Sequence, residues 1–230
     1  MKILLTGGSG QLSKSIKISK PNEVELIIPT REELNLEDPK SCERIIYKHK
    51  PNLVINSGAY TQVDKAEKNK ELSLSINAKA PKIFSKILRK EGGRILQIST
   101  DFVFNGTQGR PYKINDSRSP INHYGYTKSI GEEAIEEILG DTNQGIILRT
   151  SWLISPFGNN FVSKIINLLN SKSEISVVSD QIGCPTSTIS LSAACWSIIH
   201  NWDLIKKQNS KLKEILHWSD QGVASWYDIA

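Results

Sequence analysis

The sequence predicts an α/β fold in which a doubly wound parallel sheet carries helices on both faces. Three observations lead to this prediction. Short runs rich in β-branched residues alternate with longer amphipathic stretches up to about residue 150. A glycine-rich turn, residues 7–10, directly follows the first apolar run. The longest apolar runs stay well short of the roughly 20 residues that a membrane-spanning helix needs.

The predicted strands and helices follow one another in strict alternation. The strands are expected at Lys2–Thr6, Val24–Ile28, Leu53–Asn56, Arg94–Ile98 and Ile146–Arg149. The helices between them are expected at Gln11–Ile18, Asp38–Lys48, Leu72–Lys90 and Tyr124–Ile138. The second helix has the clearest start, because Asp38 is a good N-cap and Pro39 fits the first helical position.

The regular alternation of strands and helices ends after Thr150, where a small second domain docked on the first is expected. Its predicted elements are a helix at Asn160–Asn170, a strand at Ile175–Val178 and a helix at Thr188–Asn201. Ser225 is placed as the N-cap of a final helical turn, Trp226–Ala230.

Composition excludes several classes of protein. The three cysteines, Cys42, Cys184 and Cys195, form no C-x-x-C pair and the four histidines are scattered, so neither a disulfide framework nor a metal site is expected. Free thiols and the absence of a signal-peptide pattern favour the cytoplasm. The net charge of +5 comes from dispersed lysines, which suits an anionic small ligand better than nucleic acid.

The turn after the first strand has the spacing of a phosphate-binding loop. Gly7 and Gly10 permit a tight turn and a close backbone approach, and the helix that follows offers free N–H groups to a pyrophosphate. Ser13 stands where the pattern expects a third glycine, so slightly looser packing is expected there. A plain strand-to-helix turn is the alternative.

The end of the second strand bears on the choice of cofactor. It has no acidic residue to bind the ribose 2′-OH of NAD. Thr30 and Arg31 stand there instead, and an arginine fork matches a 2′-phosphate. NADP(H) is therefore expected, with NAD(H) as the alternative, and a solvated surface pair is the other interpretation.

Tyr124 and Lys128 form a Tyr-x-x-x-Lys pair on one face of the predicted helix. Reduction of a ketone needs a proton on oxygen, and a neighbouring ammonium is expected to lower the phenol pKa from its usual value near 10. Ser99 and Thr100 end the fourth strand, where ligands bind in such sheets, so either hydroxyl could bond a substrate carbonyl. A surface pair and a strand-end turn are the alternatives.

With these motifs in place, the chain resembles the dTDP-4-dehydrorhamnose reductases, a family of extended short-chain dehydrogenases. The matching stretches are MKILLTGGSGQL, PNLVINSGAYTQVDKAE, RILQISTDFVFNG, SPINHYGYTKSIGEEAI, ILRTSWLI, GNNFV, VVSDQIGCPTS and GVASWY. The resemblance implies an NAD(P)-binding Rossmann domain at 1–150, a partial substrate-binding lobe at 151–230, and NADPH-dependent reduction of the 4-keto group of dTDP-4-dehydro-L-rhamnose.

The resemblance also implies residue roles. Tyr124 would be the general acid, Lys128 the ribose anchor, and Thr100 the donor to the carbonyl oxygen. The cofactor would contact Gly7, Gly10, Gln11, Leu12, Thr30, Arg31, Asn35, Leu36, Gly58, Ala59, Tyr60, Ser99, Tyr124 and Lys128. The sugar would contact Val63, Thr100, Asp101 and Trp152, with Asn159 and Asn160 starting the helix of the substrate lobe.

The chain departs from the family pattern at several positions. Phe102 replaces a usual Tyr and Gly58 a usual Ala, and Ser15 stands where some relatives place a magnesium-binding acid at a dimer contact, so no metal is expected. Family members continue beyond the GVASWY run, so cofactor binding with weak substrate binding is expected; a naturally short chain and a shortened one both stay open.

The expected partner is a sugar nucleotide, with a homodimer left open and neither nucleic acid nor membrane expected. One alternative function is a non-catalytic NADP-binding regulatory or partner protein. The other is a different nucleotide-sugar reductase or epimerase on the same fold, because fold does not fix substrate.

Overall fold

The computed structural model describes residues 1–208 and 215–230, and a parallel sheet lies at its centre. The strands in chain order are β1 (Lys2–Thr6), β2 (Glu25–Ile27), β3 (Leu53–Asn56), β4 (Arg94–Thr100), β5 (Gly145–Thr150), β6 (Leu153–Ile154), β7 (Ile182–Gly183), β8 (Thr186–Ser187), β9 (Ile215–His217) and β10 (Ala224–Ser225). Within the described residues the main sheet has six strands in the order β2-β1-β3-β4-β5-β9, and all its pairs are parallel.

Helices cover both faces of this sheet. In chain order they are α1 (Gln11–Ile18), α2 (Pro39–His49), α3 (Val63–Ala66), α4 (Lys70–Leu74), α5 (Ala80–Glu91), α6 (His123–Leu139), α7 (Phe161–Leu169), α8 (Thr188–His200), α9 (Trp202–Gln208) and α10 (Trp226–Ile229). A π-helical segment, Ser75–Lys79, joins α4 to α5, and a 3-10 turn, Asp101–Val103, follows β4. In the described ranges, none of the helices has the length and apolar character needed to cross a membrane.

The predicted doubly wound sheet is confirmed, and its five predicted strands are all present. The chain turns from β1 to β2 on one side and reaches β3 on the other, so the strand order reverses beside β1. Ligands of such sheets bind in the crevice at the carboxyl ends of the two strands that flank this reversal. The glycine turn lies at that crevice, because it directly follows β1.

In the second half one prediction was wrong and one strand was missed. Residues 175–178, expected as a strand, have irregular backbone within the described part of the chain; the carbonyl of Val178 instead accepts a hydrogen bond from the Tyr227 N–H, at 3.1 Å. The run is β-branched, but half of Val178 is exposed, so little burial supports a strand. The sixth strand, β9, was missed because only three residues, led by the buried Ile215, extend the sheet beside β5.

The sheet separates two apolar cores. One lies under α1 and α8 and includes Ile16 and Leu191, and the other lies under α2, α5 and α6 and includes Phe84. Since α8 and β9 come after residue 150, parts of the second half complete the layers of the first. The chain is therefore not divided at residue 150 in its packing, because α8 and β9 pack with the sheet. That residues 1–150 bind the cofactor and residues 151–230 the substrate stays a proposal.

Helix α6 packs unusually close to its neighbours at two glycines. A Cβ at Gly125 would lie 2.1 Å from the carbonyl oxygen of Phe102, and one at Gly131 would lie 2.2 Å from that of Asn77. Both obstacles are backbone atoms, which cannot rotate away. The close packing fixes α6 against the 3-10 turn that follows β4 and against the π-helical segment.

We predict that Gly131→Ala destabilises the fold by about 1–3 kcal/mol, because overpacking must push α6 away from the π-helical segment. In an unobstructed helix the same change stabilises by about 1 kcal/mol, so the sign of the effect is diagnostic. The matched control is Gly109→Ala, whose Cβ would meet nothing within 4 Å. Urea unfolding measures both, and a Gly131→Ala protein at least as stable as wild type would contradict the packing.

Candidate active site

The glycine turn brings the ends of β1 and β3 into backbone contact. Gly7 has φ +68°, in the left-handed region, and a Cβ there would lie 2.6 Å from the Cα of Gly58. A Cβ at Gly58 would in turn lie 2.6 Å from Leu36 Cδ1. Gly10 N–H closes the turn on the Gly7 carbonyl at 2.8 Å. Only residues without side chains can form this glycine cradle, the close contact of the Gly7–Gly10 turn with Gly58.

Ser13, where a third glycine was expected, is buried and hydrogen-bonded. Its Oγ lies 2.8 Å from Ser57 Oγ and donates to the Thr6 carbonyl at 3.3 Å. Ser57 Oγ donates to the same carbonyl at 2.8 Å. The hydroxyl at position 13 therefore links α1 to the ends of β1 and β3, a contact that glycine cannot make.

A buried chain of polar side chains joins the carboxyl ends of three strands. Thr6 Oγ1 accepts from Gly58 N–H at 2.9 Å and donates to Asn56 Oδ1 at 2.6 Å. Asn56 Nδ2 donates to Gln97 Oε1 at 2.7 Å, and Gln97 Nε2 donates to the Ile98 carbonyl at 2.8 Å. Sequence reasoning missed Asn56 and Gln97, although polar residues inside apolar strands signal such a network.

The residues predicted for the adenosine side lie past the end of β2. The Thr30 N–H donates to Glu33 Oε2 at 2.9 Å, which orders the turn. The Arg31 side chain is 84% exposed and pairs with Glu37 at 3.1 Å. Asn35 is tied down through its N–H, which donates to Ser41 Oγ at 3.1 Å. An exposed guanidinium with one surface partner can still take up a phosphate.

The loop after β3, residues 58–60, is fixed to α6 by one side chain that sequence reasoning missed. Asn77, in the π-helical segment, accepts from Tyr60 N–H at 2.9 Å and donates to the Tyr60 carbonyl at 3.1 Å. Its amide also donates to Thr127 Oγ1 at 3.0 Å. Ala59 is half-buried in this loop. Asn77 thus holds the loop against the first turns of α6.

Helix α6 points Tyr124 and Lys128 at the end of β4. The Asn122 side chain caps the helix, so Tyr124 lies in its first turn. The hydroxyl of Tyr124 hydrogen-bonds to the Thr100 side chain. One turn later the Lys128 ammonium donates to the carbonyl of Ile98 at 2.7 Å. The structure therefore brings the predicted phenol, ammonium and strand-end hydroxyl together.

The pKa of Tyr124 shifts in the direction opposite to the one expected from the sequence. Burial raises the pKa of Tyr124 to about 12, and the Asp101 carboxylate adds to the rise, while the Thr100 hydroxyl opposes it. The predicted lowering by Lys128 was wrong for the protein alone, because the ammonium is engaged by the Ile98 carbonyl and burial dominates. Burial lowers the pKa of Lys128 to about 8, against the Glu132 charge. Near neutral pH, Tyr124 is therefore a protonated phenol.

Four further residues predicted to bind cofactor or sugar have different surroundings. Ser99 donates its hydroxyl to Glu132, away from Thr100, and Leu12 places its side chain in the core. Gln11 reaches the second half of the chain, where its Oε1 accepts from Asn160 Nδ2 at 3.2 Å. Val63 starts α3 and is half-exposed.

Trp152 is held from two sides. Its ring stacks on Trp226 with centroids 3.6 Å apart and planes 3° from parallel, and a Cβ on Gly183 would lie 2.4 Å from its Cε2. Ser225 caps α10 as predicted, which fixes Trp226 for this stack. The backbone of Trp152 has φ +42°, so its position is maintained against local strain.

Ser15 is buried and donates to Thr188 Oγ1 at 2.8 Å, so it lies in the contact between α1 and α8. Across residues 1–208 and 215–230, no group of three or more His, Cys, Asp or Glu residues is arranged to hold a metal ion. Cys42, Cys184 and Cys195 all lie in the described ranges and are free thiols.

The parallel sheet, with the glycine turn and the Tyr124–Lys128 pair at one edge, defines an α/β protein of the extended short-chain dehydrogenase type. The family model described as RmlD substrate binding domain matches residues 1–230, and the chain belongs to this family. The predicted resemblance is thereby confirmed.

Named relatives support this assignment. The chain is 31% identical to the dTDP-4-keto-6-deoxy-D-glucose reductase of Streptomyces niveus, over 99% of this chain and 75% of that protein. A crystal structure of a dTDP-4-dehydrorhamnose reductase from Clostridium acetobutylicum is 37% identical, with a TM-score of 0.89 over 99% of this chain and 77% of that one. The Bacillus anthracis dTDP-4-dehydrorhamnose reductase, solved in complex with NADP, is 33% identical with a TM-score of 0.89, over 98% and 76%.

Asp101 gives a test of the site's electrostatics. Thr100 Oγ1 donates to its carboxylate at 3.0 Å, yet burial raises the pKa of Asp101 to about 6. The folded state therefore binds a proton more tightly than the unfolded chain, and this carboxylate costs stability progressively as pH rises from about 4 through 6.

We predict that Asp101→Asn raises the free energy of unfolding by about 2 kcal/mol at pH 7.5 and leaves it unchanged at pH 4. Chemical denaturation at both pH values measures the difference. Asp180→Asn, at an exposed position, is the matched control and should change little at either pH. Equal effects of Asp101→Asn at the two pH values would show that burial does not penalise this charge.

Proposed function

We propose that this chain is an NADPH-dependent oxidoreductase that reduces the 4-keto group of dTDP-4-dehydro-L-rhamnose to give dTDP-L-rhamnose. One observation supports the proposal above the others: Tyr124 and Lys128 reach the end of β4 beside Thr100, at the edge of the sheet that carries the glycine cradle. The family and its NADP-bound relative supply the class of substrate and cofactor.

The residues present fit a dinucleotide. The glycine cradle has no room for a Cβ at Gly7 or Gly58, so a dinucleotide would meet bare backbone at this turn. The first N–H groups of α1, at Gln11 and Leu12, are free of helical partners by their position and favour a pyrophosphate. Ala59 and Tyr60 would line the nicotinamide half, with Asn35 and Leu36 at the adenine edge. When bound, the reduced nicotinamide supplies the hydride that the ketone carbon needs.

The side chains of this cluster supply the proton. Tyr124 is protonated near neutral pH, so it can give its proton to the ketone oxygen as that oxygen gains negative charge. The Thr100 hydroxyl, in contact with Tyr124, donates to Asp101 in the free chain and would turn from that carboxylate to donate a second hydrogen bond to the same oxygen. The Lys128 ammonium stabilises the phenolate that Tyr124 becomes and would anchor the cofactor ribose.

The residues that would bind the sugar are proposed from their positions near the end of β4 and in the second half of the chain. Val63, Asp101 and Trp152 would contact the sugar, and the start of α7 at Asn159 and Asn160 would belong to the substrate lobe, residues 151–230. The relative from Streptomyces niveus is named for dTDP-4-keto-6-deoxy-D-glucose, which carries the same 4-keto group on another deoxy sugar. That compound is the second substrate to test. A cytoplasmic location remains part of the proposal.

We predict that Tyr124→Phe lowers turnover by roughly 10²–10⁴-fold, because the proton donor is lost. NADPH consumption with dTDP-4-dehydro-L-rhamnose measures the rate, and fluorescence titration should show NADPH affinity within a few-fold of wild type. Tyr126→Phe, two residues away and 48% exposed, is the matched control and should retain activity. An active wild-type chain whose Tyr124→Phe variant keeps its rate would rule out this role, and a wild type inactive on both keto sugars would favour the non-catalytic NADP-binding alternative.

Cofactor choice is tested at Arg31. We predict that Arg31→Ala raises the KM for NADPH about 10- to 100-fold, because a charge-assisted hydrogen bond to the 2′-phosphate is lost, and leaves the KM for NADH unchanged. Lys17→Ala, which removes one exposed positive charge elsewhere, controls for the loss of net charge. Parallel increases for NADPH and NADH would place the 2′-phosphate away from Arg31.

A further inference from the structure

Helix α6 carries a third residue on the stripe that faces β4. Tyr124, Lys128 and Glu132 are spaced four residues apart, and each contacts a different residue at the end of the strand. Glu132 is 1% exposed and accepts a hydrogen bond from Ser99, the residue before Thr100. The stripe therefore continues one turn below the two residues that the proposed reaction uses.

Glu132 is the centre of a buried ionic cluster. It accepts from Arg149, on β5, through Nε at 2.9 Å and Nη2 at 2.6 Å. Arg118, in the loop that leads into α6, donates to it at 3.1 Å and to Glu136 at 2.6 Å. Arg149 also lies 3.4 Å from His217 Nε2, on β9. One carboxylate thus ties together α6, two strands and the loop before Tyr124.

The cluster keeps Glu132 ionised. Burial opposes the charge, but the bonds from Arg149, Ser99 and Arg118 outweigh it and hold the pKa of Glu132 below its ordinary value. Its negative charge acts on Lys128 one turn away and opposes the loss of the lysine proton that burial favours. Among the described residues, the ionisable groups that contact Glu132 or its partners are Arg118, Arg149, Glu133, Glu136 and His217. Tyr124 and Asp101 interact with each other at the end of β4.

We propose that Glu132 is a positioning residue for the reduction proposed above: it fixes the Ser99–Thr100 strand end against α6 and keeps the Lys128 ammonium charged and in place. It does so without touching substrate or cofactor. A structural role alone is a weaker explanation, because apolar pairs of similar volume stabilise a fold as well as buried ion pairs do. The Glu132 charge lies one helical turn from Lys128 and favours the protonated lysine, which an apolar residue could not do.

The test begins with Glu132→Gln, which keeps the side-chain shape and removes the charge. Lysine side chains carrying ¹³C at Cε report titration by NMR, and the Lys128 signal is assigned by its loss in Lys128→Met. We expect the Lys128 midpoint to fall from about 8 in the wild type to a clearly lower pH in Glu132→Gln. Turnover at pH 7.5 should fall roughly 10²-fold, and the basic limb of the pH–rate profile should move to lower pH with the midpoint. The matched control, Glu137→Gln, changes an exposed residue of the same helix and should move neither.

A second variant separates positioning from folding. Glu132→Leu with Arg149→Met removes the pair together and leaves no unpaired buried charge between them. A folded double variant with a lowered Lys128 midpoint and slowed turnover supports the proposal. A wild-type midpoint and profile in either folded variant would overturn it. Because the lysine titration needs no substrate, an enzyme inactive on the keto sugars would contradict the proposed function and leave this measurement as the test of Glu132.

Discussion

The site depends on how closely α6 packs against the carboxyl end of β4. At Gly125 the helix meets the 3-10 turn that follows β4, where a Cβ would lie only 2.1 Å from the Phe102 carbonyl oxygen. At Gly131 it meets the π-helical segment, where a Cβ would lie 2.2 Å from the Asn77 carbonyl oxygen. At that separation the side chains of Tyr124 and Lys128 can reach Thr100 and the Ile98 carbonyl directly. A wider gap would admit water and weaken each of these interactions, since hydrogen bonds and charges act more strongly when shielded from solvent.

A second constraint holds the opposite wall of the crevice. Gly7 and Gly58 touch where β1 and β3 end, and the buried hydrogen bonds from Thr6 through Asn56 to Gln97 fix those ends in register with β4. The Ile98 carbonyl accepts from both Gln97 and Lys128, so the buried hydrogen bonds of the strand ends and those of α6 share one acceptor. The two halves of the site are therefore parts of one rigid sheet edge.

Local chemistry made the first half of the fold predictable. Each of its strands is a short apolar run before a glycine or polar turn, and the Tyr-x-x-x-Lys spacing places both side chains on one helical face whatever the tertiary structure. Asn77 and Glu132 were missed because their partners, Tyr60 and Arg149, are distant in sequence and meet only in the fold. The strand prediction at residues 175–178 was wrong because it too depended on the tertiary structure: β-branched residues form strands only where a sheet edge and burial are available. The pKa of Tyr124 was predicted in the wrong direction because burial cannot be read from spacing.

The crystal structure of this chain with bound NADP⁺ tests the central claim most directly. It should show the nicotinamide ring at the end of β4, beside the hydroxyls of Thr100 and Tyr124, with the pyrophosphate on the turn at Gly7 and Gly10. A nicotinamide ring that lies away from Tyr124, or a dinucleotide bound outside the glycine cradle, would contradict the assignment of this sheet edge as the reducing site.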